Sequence, residues 1–219
     1  MPKPASTLSD TYAARLRTFD RARRKLERLY SEGRVTRHDV SMFYEGIFLR
    51  TVTSFEGLME DLFVGLLAGG IKPGKNVHPR VTFQSHAVAR DVMLGGRTYV
   101  DWLPYNFTHN RAEAFFRGGF PFCNLDKPDK KLLERIILVR NAVAHQSRSA
   151  RGKFEEEVIG TAPVLPVERT PAGFLRTVFR TAPDQTRYEE IASTCADPCA
   201  KAVPVEIHGS PNLQIWVRS

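Results

Sequence analysis

The chain has little cysteine and no long apolar run, and each shortage excludes something. Its 219 residues include only three cysteines, Cys123, Cys195 and Cys199. An odd number completes no disulfide framework, and a lone Cys195-x3-Cys199 lacks the second ligand pair of a structural zinc site. Reduced thiols and no metal are expected. No segment approaches the roughly 18 to 20 apolar residues that span a bilayer, and no signal-peptide core follows Met1-Pro2-Lys3-Pro4-Ala5-Ser6. A cytoplasmic protein with no membrane partner is therefore expected. The sequence also has no glycine-rich phosphate loop of the Walker type and no paired carboxylates at an evident metal-binding spacing. Free-nucleotide hydrolysis and nucleotidyl transfer are disfavoured, and no cofactor is expected.

Positive charge is what the chain has in excess. Lys and Arg number 32 against 24 Asp and Glu, a formal charge of +8. Such a balance favours an anionic partner, RNA or DNA foremost. Hydrophobic residues at 42% and charged residues at 26% are the proportions of a folded globular chain. The length suits one main core with an appendage.

Apolar spacing organises the first 158 residues. A helix is expected from near Thr7 or Ser9 to Ser31-Glu32-Gly33, with Tyr12, Leu16, Phe19, Leu26 and Tyr30 on its buried face. Arg17, Arg21, Arg24 and Arg28 form a basic stripe on another face, suited to RNA-backbone contact or simply to solvation. Thr36-Arg37-His38-Asp39 reads as a capping box opening a second helix that runs to Ala68-Gly69-Gly70. Phe48, Val52, Phe55, Met59, Leu62 and Leu66 step along it by four and three. Prolines and glycine pairs break up residues 71–127, where short helices are expected around Ser85 to Leu94 and Thr108 to Arg117. Trp102, Phe107, Phe115, Phe116, Phe120 and Phe122 make this stretch aromatic, a pattern that suits packing better than base stacking. A third long helix should start near Asp126 or Pro128 and reach about Ala150-Arg151-Gly152. Residues 159–219 hold many prolines and little helical period, so an irregular extension or small subdomain is expected, with a candidate β-hairpin over Ala202–Ile207 and Leu213–Val217.

The chemistry concentrates near the end of the third helix, in Arg140-Asn141-Ala142-Val143-Ala144-His145. Continuing the row of Leu133 and Ile137 would place an apolar residue where Arg140 stands, so a permanent cation sits at the margin of the core. Asn141 and His145, four apart, would share one helix face, and Arg140 is long enough to reach it. Metal-free RNA cleavage requires deprotonating a 2′-hydroxyl, stabilising charge on a phosphorane-like transition state and protonating the leaving 5′-oxygen. His145 suits proton transfer and Arg140 charge stabilisation. Asn141 suits holding the phosphate or orienting the imidazole, and Gln146 or Ser147 could add a polar contact. An arginine and a histidine at this spacing are also ordinary occupants of a helix C-terminus, where cations meet the macrodipole.

This motif, at the end of Leu132-Leu133-Glu134-Arg135-Ile136-Ile137-Leu138-Val139, resembles the Arg-x4–6-His signature of HEPN domains, with a polar residue after the arginine. Ser54-Phe55-Glu56-Gly57-Leu58-Met59-Glu60-Asp61-Leu62 resembles the long second helix of the RiboL-PSP branch of that superfamily. The resemblance covers about residues 8 to 155. It implies an all-α, up-and-down helical bundle of HEPN type over 1–158, a homodimer with a composite active site, and RNA cleavage leaving 2′,3′-cyclic phosphate ends. It also implies catalysis by Arg140 and His145 with Asn141 supporting, and a possible antitoxin partner or role in antiviral defence. Glu56 is a weaker candidate for orienting Arg140 by an ion pair. The alternative is a catalytically inactive HEPN-like RNA-binding or dimerisation module. A remoter one is a protein-binding adaptor using the aromatic 99–122 segment or the tail, which requires an exposed apolar patch there and a buried His145.

Overall fold

The computed structural model describes residues 2–123, 125–145, 147–181 and 184–202. Helices α1 (Ala5–Ser31) and α2 (Arg37–Leu67) pack along one another, joined by a turn at Gly33, whose φ of +70° suits a residue without Cβ. α1 starts before the expected Thr7, at Ala5, because Pro4 sets its first turn. The capping box of α2 is formed as the sequence suggests. Thr36 Oγ1 accepts the Asp39 N–H at 3.2 Å, and the Asp39 carboxylate accepts the Thr36 N–H at 2.8 Å.

α2 is the central helix, packed against α1 and against every later long element. Phe48, Val52, Phe55, Met59, Leu62 and Leu66 are all buried. Each contributes on the order of 1.5 to 3 kcal/mol of transfer free energy. Gly65 is needed for a close approach: a Cβ there would lie 2.5 Å from Ile71 Cδ1.

Both expected short helices are present, as α3 (His86–Leu94), capped by the Ser85 side chain, and α4 (Tyr105–Phe115). The aromatic segment is chiefly core. Trp102, Phe115, Phe116 and Phe122 surround Phe63 of α2 with ring centroids 4.8 to 5.9 Å apart.

α5 (Lys127–Ala144) opens with Asp126 accepting the Asp129 N–H and Pro128 in the first turn, and buries Leu133, Ile136, Val139 and Ala142. It ends earlier than the expected stop at Ala150-Arg151-Gly152. His145 is extended (φ −122°, ψ 114°), and Ser147 caps a separate helix, α6 (Arg148–Lys153), by accepting the Ala150 N–H. A serine hydroxyl that satisfies a new helix start competes with continuation of the old one. A π-helical turn, Phe154–Ile159, then returns Phe154, Val158 and Ile159 to the core.

The C-terminal segment is more ordered than its prolines suggest. Thr170 caps α7 (Pro171–Arg176), followed by an antiparallel pair, β1 (Val178–Thr181) and β2 (Asp184–Thr186), and then α8 (Arg187–Ala202). Tyr188, Ile191, Ala192, Cys195 and Ala196 of α8 are buried in the same core as α1 and α2. The chain is mostly helical, with one small two-stranded sheet among the described residues. Residues 203–217 of the expected terminal hairpin lie outside the described residues.

Candidate functional site

The last turn of α5, which packs against α2, carries Arg140 and Asn141, both partly exposed. Arg140 Nη1 donates to Asn141 Oδ1 at 3.1 Å. Among the described residues that amide oxygen is its hydrogen-bond partner, and no carboxylate forms a salt bridge with it. Among the other buried or half-buried arginines, Arg23, Arg176 and Arg187 each hold a carboxylate, whereas Arg111 and Arg135 donate to backbone carbonyls.

Glu56, on α2, lies close enough to feel the Arg140 charge. Burial holds its carboxyl above the usual carboxylate range; the Arg140 charge pulls it down, and Asp101, on the loop between α3 and α4, pushes it up. Arg140, Glu56 and Asp101 thus share one electrostatic neighbourhood without a closed salt bridge. A half-desolvated carboxylate near a guanidinium that holds no ion pair can steer that guanidinium toward an incoming anion.

His145 follows immediately, exposed, with its backbone N–H donating to Asn141 O at 2.9 Å. Since α5 ends at Ala144, the imidazole is not stacked one turn above Asn141, as an uninterrupted helix would have placed it. It stands on an extended residue between two helices. The adaptor alternative required a buried His145, and the residue is exposed. Gln146 lies outside the described residues.

The stripe of Arg17, Arg21, Arg24 and Arg28 is exposed along α1 as its spacing implies. Three of the four have partners on their own helix or just beyond it. Arg24 Nε pairs with Asp20 at 2.7 Å, Arg21 Nη2 donates to Thr18 Oγ1 at 3.3 Å, and Arg28 Nε lies 3.9 Å from Glu32.

Sequence reasoning missed a polar cluster on the inner face of α1. Arg23 binds Asp20 through Nε and Nη2 and reaches Glu189 at the start of α8. Glu27 takes a two-pronged contact from Arg176 of α7, at 2.8 Å to each oxygen, and accepts the Tyr44 hydroxyl at 2.8 Å. Thr51, whose proton goes to Ile47 O, receives the Tyr188 hydroxyl at 3.1 Å. Burial opposes the Arg23 charge, but hydrogen bonding and attraction from Tyr44, Glu189 and Asp20 raise its pKa above the ordinary arginine value. Every one of these groups is paired, so the cluster fastens the C-terminal segment and offers nothing to a ligand. Its sequence signal was Leu16, Asp20, Arg23 and Glu27 at helical spacing, which places charges on the apolar side.

No group of three or more His, Cys, Asp or Glu among the described residues is arranged to hold a metal, and no helix among them is long and apolar enough to cross a membrane. No protein-family model matches the chain, and no curated protein or solved structure is detectably similar to it.

Proposed function

We propose that this protein is a metal-independent endoribonuclease whose site is built on Arg140, Asn141 and His145. The observation that carries the reading is the state of Arg140: a half-buried guanidinium near the end of α5, bonded to an amide oxygen and to no carboxylate among the described residues, with four residues between it and an exposed histidine. A paired arginine would have to break an ion pair before taking a phosphate. Arg140 does not.

In this reading RNA lies across the end of α5. An imidazole takes the proton of the 2′-hydroxyl, whose oxygen attacks the adjacent phosphorus. The P–O5′ bond breaks, the 5′-oxygen leaves with a proton, and a 2′,3′-cyclic phosphate remains. Arg140 stabilises the charge on the non-bridging oxygens in the transition state, Asn141 fixes the guanidinium, and Glu56 biases its direction. Base and acid are separate tasks, and two copies of His145 in a composite homodimer site would divide them. A toxin or defence effector, held in check by an antitoxin, is the biological setting that the motif suggests.

The test is incubation of wild type, His145→Ala and Arg140→Ala with a mixed RNA pool in EDTA, with sequencing of new ends. Cleavage by wild type alone, leaving 2′,3′-cyclic or 3′-phosphate ends, is expected. RNA binding without cleavage by wild type would instead make the chain an inactive binding module, and equal cleavage by all three would place the chemistry elsewhere.

A further inference from the structure

The loop joining α3 to α4, residues 95–104, carries the Asp101 that faces Glu56, and it is held firmly. Val100 and Trp102, on either side of Asp101, are 7% and 2% exposed. Trp102 Nε1 donates to Glu60 Oε2 at 3.4 Å. From α4, Arg111 donates through Nη1 to Asp101 O at 3.0 Å and lies over the Trp102 ring, 5.0 Å from its centroid. Immediately before this anchored stretch the chain turns outward. Arg97 is exposed, and Tyr99, at 66%, is the most exposed large apolar side chain described.

Neither Arg97 nor Arg111 forms a salt bridge with a described residue; Arg97 has only the Leu94 carbonyl, at 3.4 Å. The two arginines also oppose each other. Burial, and then the neighbouring Arg97 charge, hold the Arg111 pKa below its ordinary value, with Asp101 offsetting only part of this. Like charges left facing each other gain from an anion between them. An exposed ring on a rigid segment, beside cations, is the arrangement that binds single-stranded nucleic acid: phosphates follow the charge and a base stacks on the ring.

We propose that Arg97, Tyr99 and Arg111 form a binding surface for single-stranded RNA adjoining the Arg140 site, with the arginines taking backbone phosphates and Tyr99 stacking on a base. The surface continues the site through Asp101 and Glu56, so a strand whose scissile phosphate lies on Arg140 extends over the 95–104 loop. Its place beside the scissile bond rests on the nuclease reading; its contact with RNA does not. The surface serves unpaired RNA, since a base inside a duplex offers no free face to Tyr99.

The test is anisotropy of a fluorescein-labelled, unstructured 12-nucleotide RNA titrated with His145→Ala protein, over a range of salt. Arg97→Gln, Tyr99→Ala and their combination are compared in that background, and Tyr99→Phe keeps the ring. Both side chains are exposed, and thermal melting verifies that each variant folds as the parent does. The double variant is expected to bind at least about tenfold more weakly, with Arg97→Gln lowering the salt slope by about 0.7 and Tyr99→Phe binding like the parent. Parent-like affinity in the double variant overturns the proposal, as does a parent that binds no RNA. If the parent binds, the double variant loses binding and wild type never cleaves, the surface stands and the nuclease reading falls.

Discussion

Arg23 of α1 and Glu189 of α8, 166 residues apart in sequence, meet in an ion pair at the edge of the core, with their side chains 8% and 17% exposed. Glu189 also accepts the Thr186 N–H at 2.8 Å and so closes the cap of its own helix. One carboxylate therefore starts α8 and ties it to the bundle.

Arg23→Ala should destabilise the fold severely. Removing one partner of a buried pair leaves the other charge desolvated, at a cost of about 3 kcal/mol or more. For a chain of this size that lowers the melting temperature by about 6 to 12 °C. Differential scanning calorimetry of Arg23→Ala, Glu189→Ala and the double variant separates coupling from packing. A melting point within a degree of wild type for Arg23→Ala would show that Asp20 and Glu189 are solvated in its absence.

The Glu27–Arg176 contact makes part of the stability dependent on pH. Burial works against the Glu27 charge, but the hydrogen bonds from Arg176 and Tyr44 outweigh it and hold its pKa below the usual value. A folded-state pKa below the unfolded one gives stability that is complete above the unfolded value, about 4.3, and lost as pH falls through the folded value. Wild type should therefore lose melting temperature more steeply below about pH 4.5 than Glu27→Gln, while being the more stable of the two at pH 7. Parallel curves from pH 7 to 3 would refute this.

Glu56 carries the opposite sign. Burial raises its pKa despite the Arg140 charge. The folded state then binds the proton more tightly than the unfolded one, so this group's contribution declines as pH rises from the unfolded to the folded pKa and remains unfavourable above it. Glu56→Gln is expected to melt at or above the wild-type temperature at pH 7, with the gap narrowing toward pH 4. A clear loss of stability at pH 7 would mean that attraction to Arg140 outweighs the desolvation of the carboxylate. In the nuclease reading the same variant should also lower turnover, a change in activity opposite to the change in stability.

Much of the bundle was legible because its elements obey local rules. The capping box at Thr36, the stripe from Phe48 to Leu66 and the Asp126-Lys127-Pro128 start each express a preference that the tertiary structure does not oppose. Two misreadings have opposite causes. The third helix is expected to be longer than it is because no glycine or proline interrupts the chain between Ala144 and Gly152, while the Ser147 hydroxyl, a short-range competitor, begins a new helix. α8 was missed although Tyr188, Ile191, Ala192, Cys195 and Ala196 keep a helical period and Thr186 with Glu189 forms a capping pair. Small side chains give a weak apolar signal, and the surrounding prolines drew the reading toward irregular structure. At the site, residue types and order were readable, but the relation of Arg140 to Glu56 was suggested only by resemblance. Its partner lies on another helix, and no single helix's periodicity records which charges two helices bring together.

Asn141 offers the sharpest test of how Arg140 is used. Its amide oxygen accepts one guanidinium N–H at 3.1 Å without neutralising the charge, which holds the side chain while leaving its other donors for phosphate. In the nuclease reading, Asn141→Ala removes the support but not the charge, and should lower kcat about tenfold through lost orientation. Asn141→Asp keeps the shape and supplies a carboxylate at the same atom, converting the support into an ion pair that competes with the substrate. Its kcat/KM should fall further than that of Asn141→Ala, with much of the loss in KM. Kinetics on a short cleavable RNA, with melting curves to verify folding, separate the two. If Asn141→Asp cleaves as well as wild type, Arg140 does not act as an open phosphate-binding cation, and its bond to Asn141 is structural.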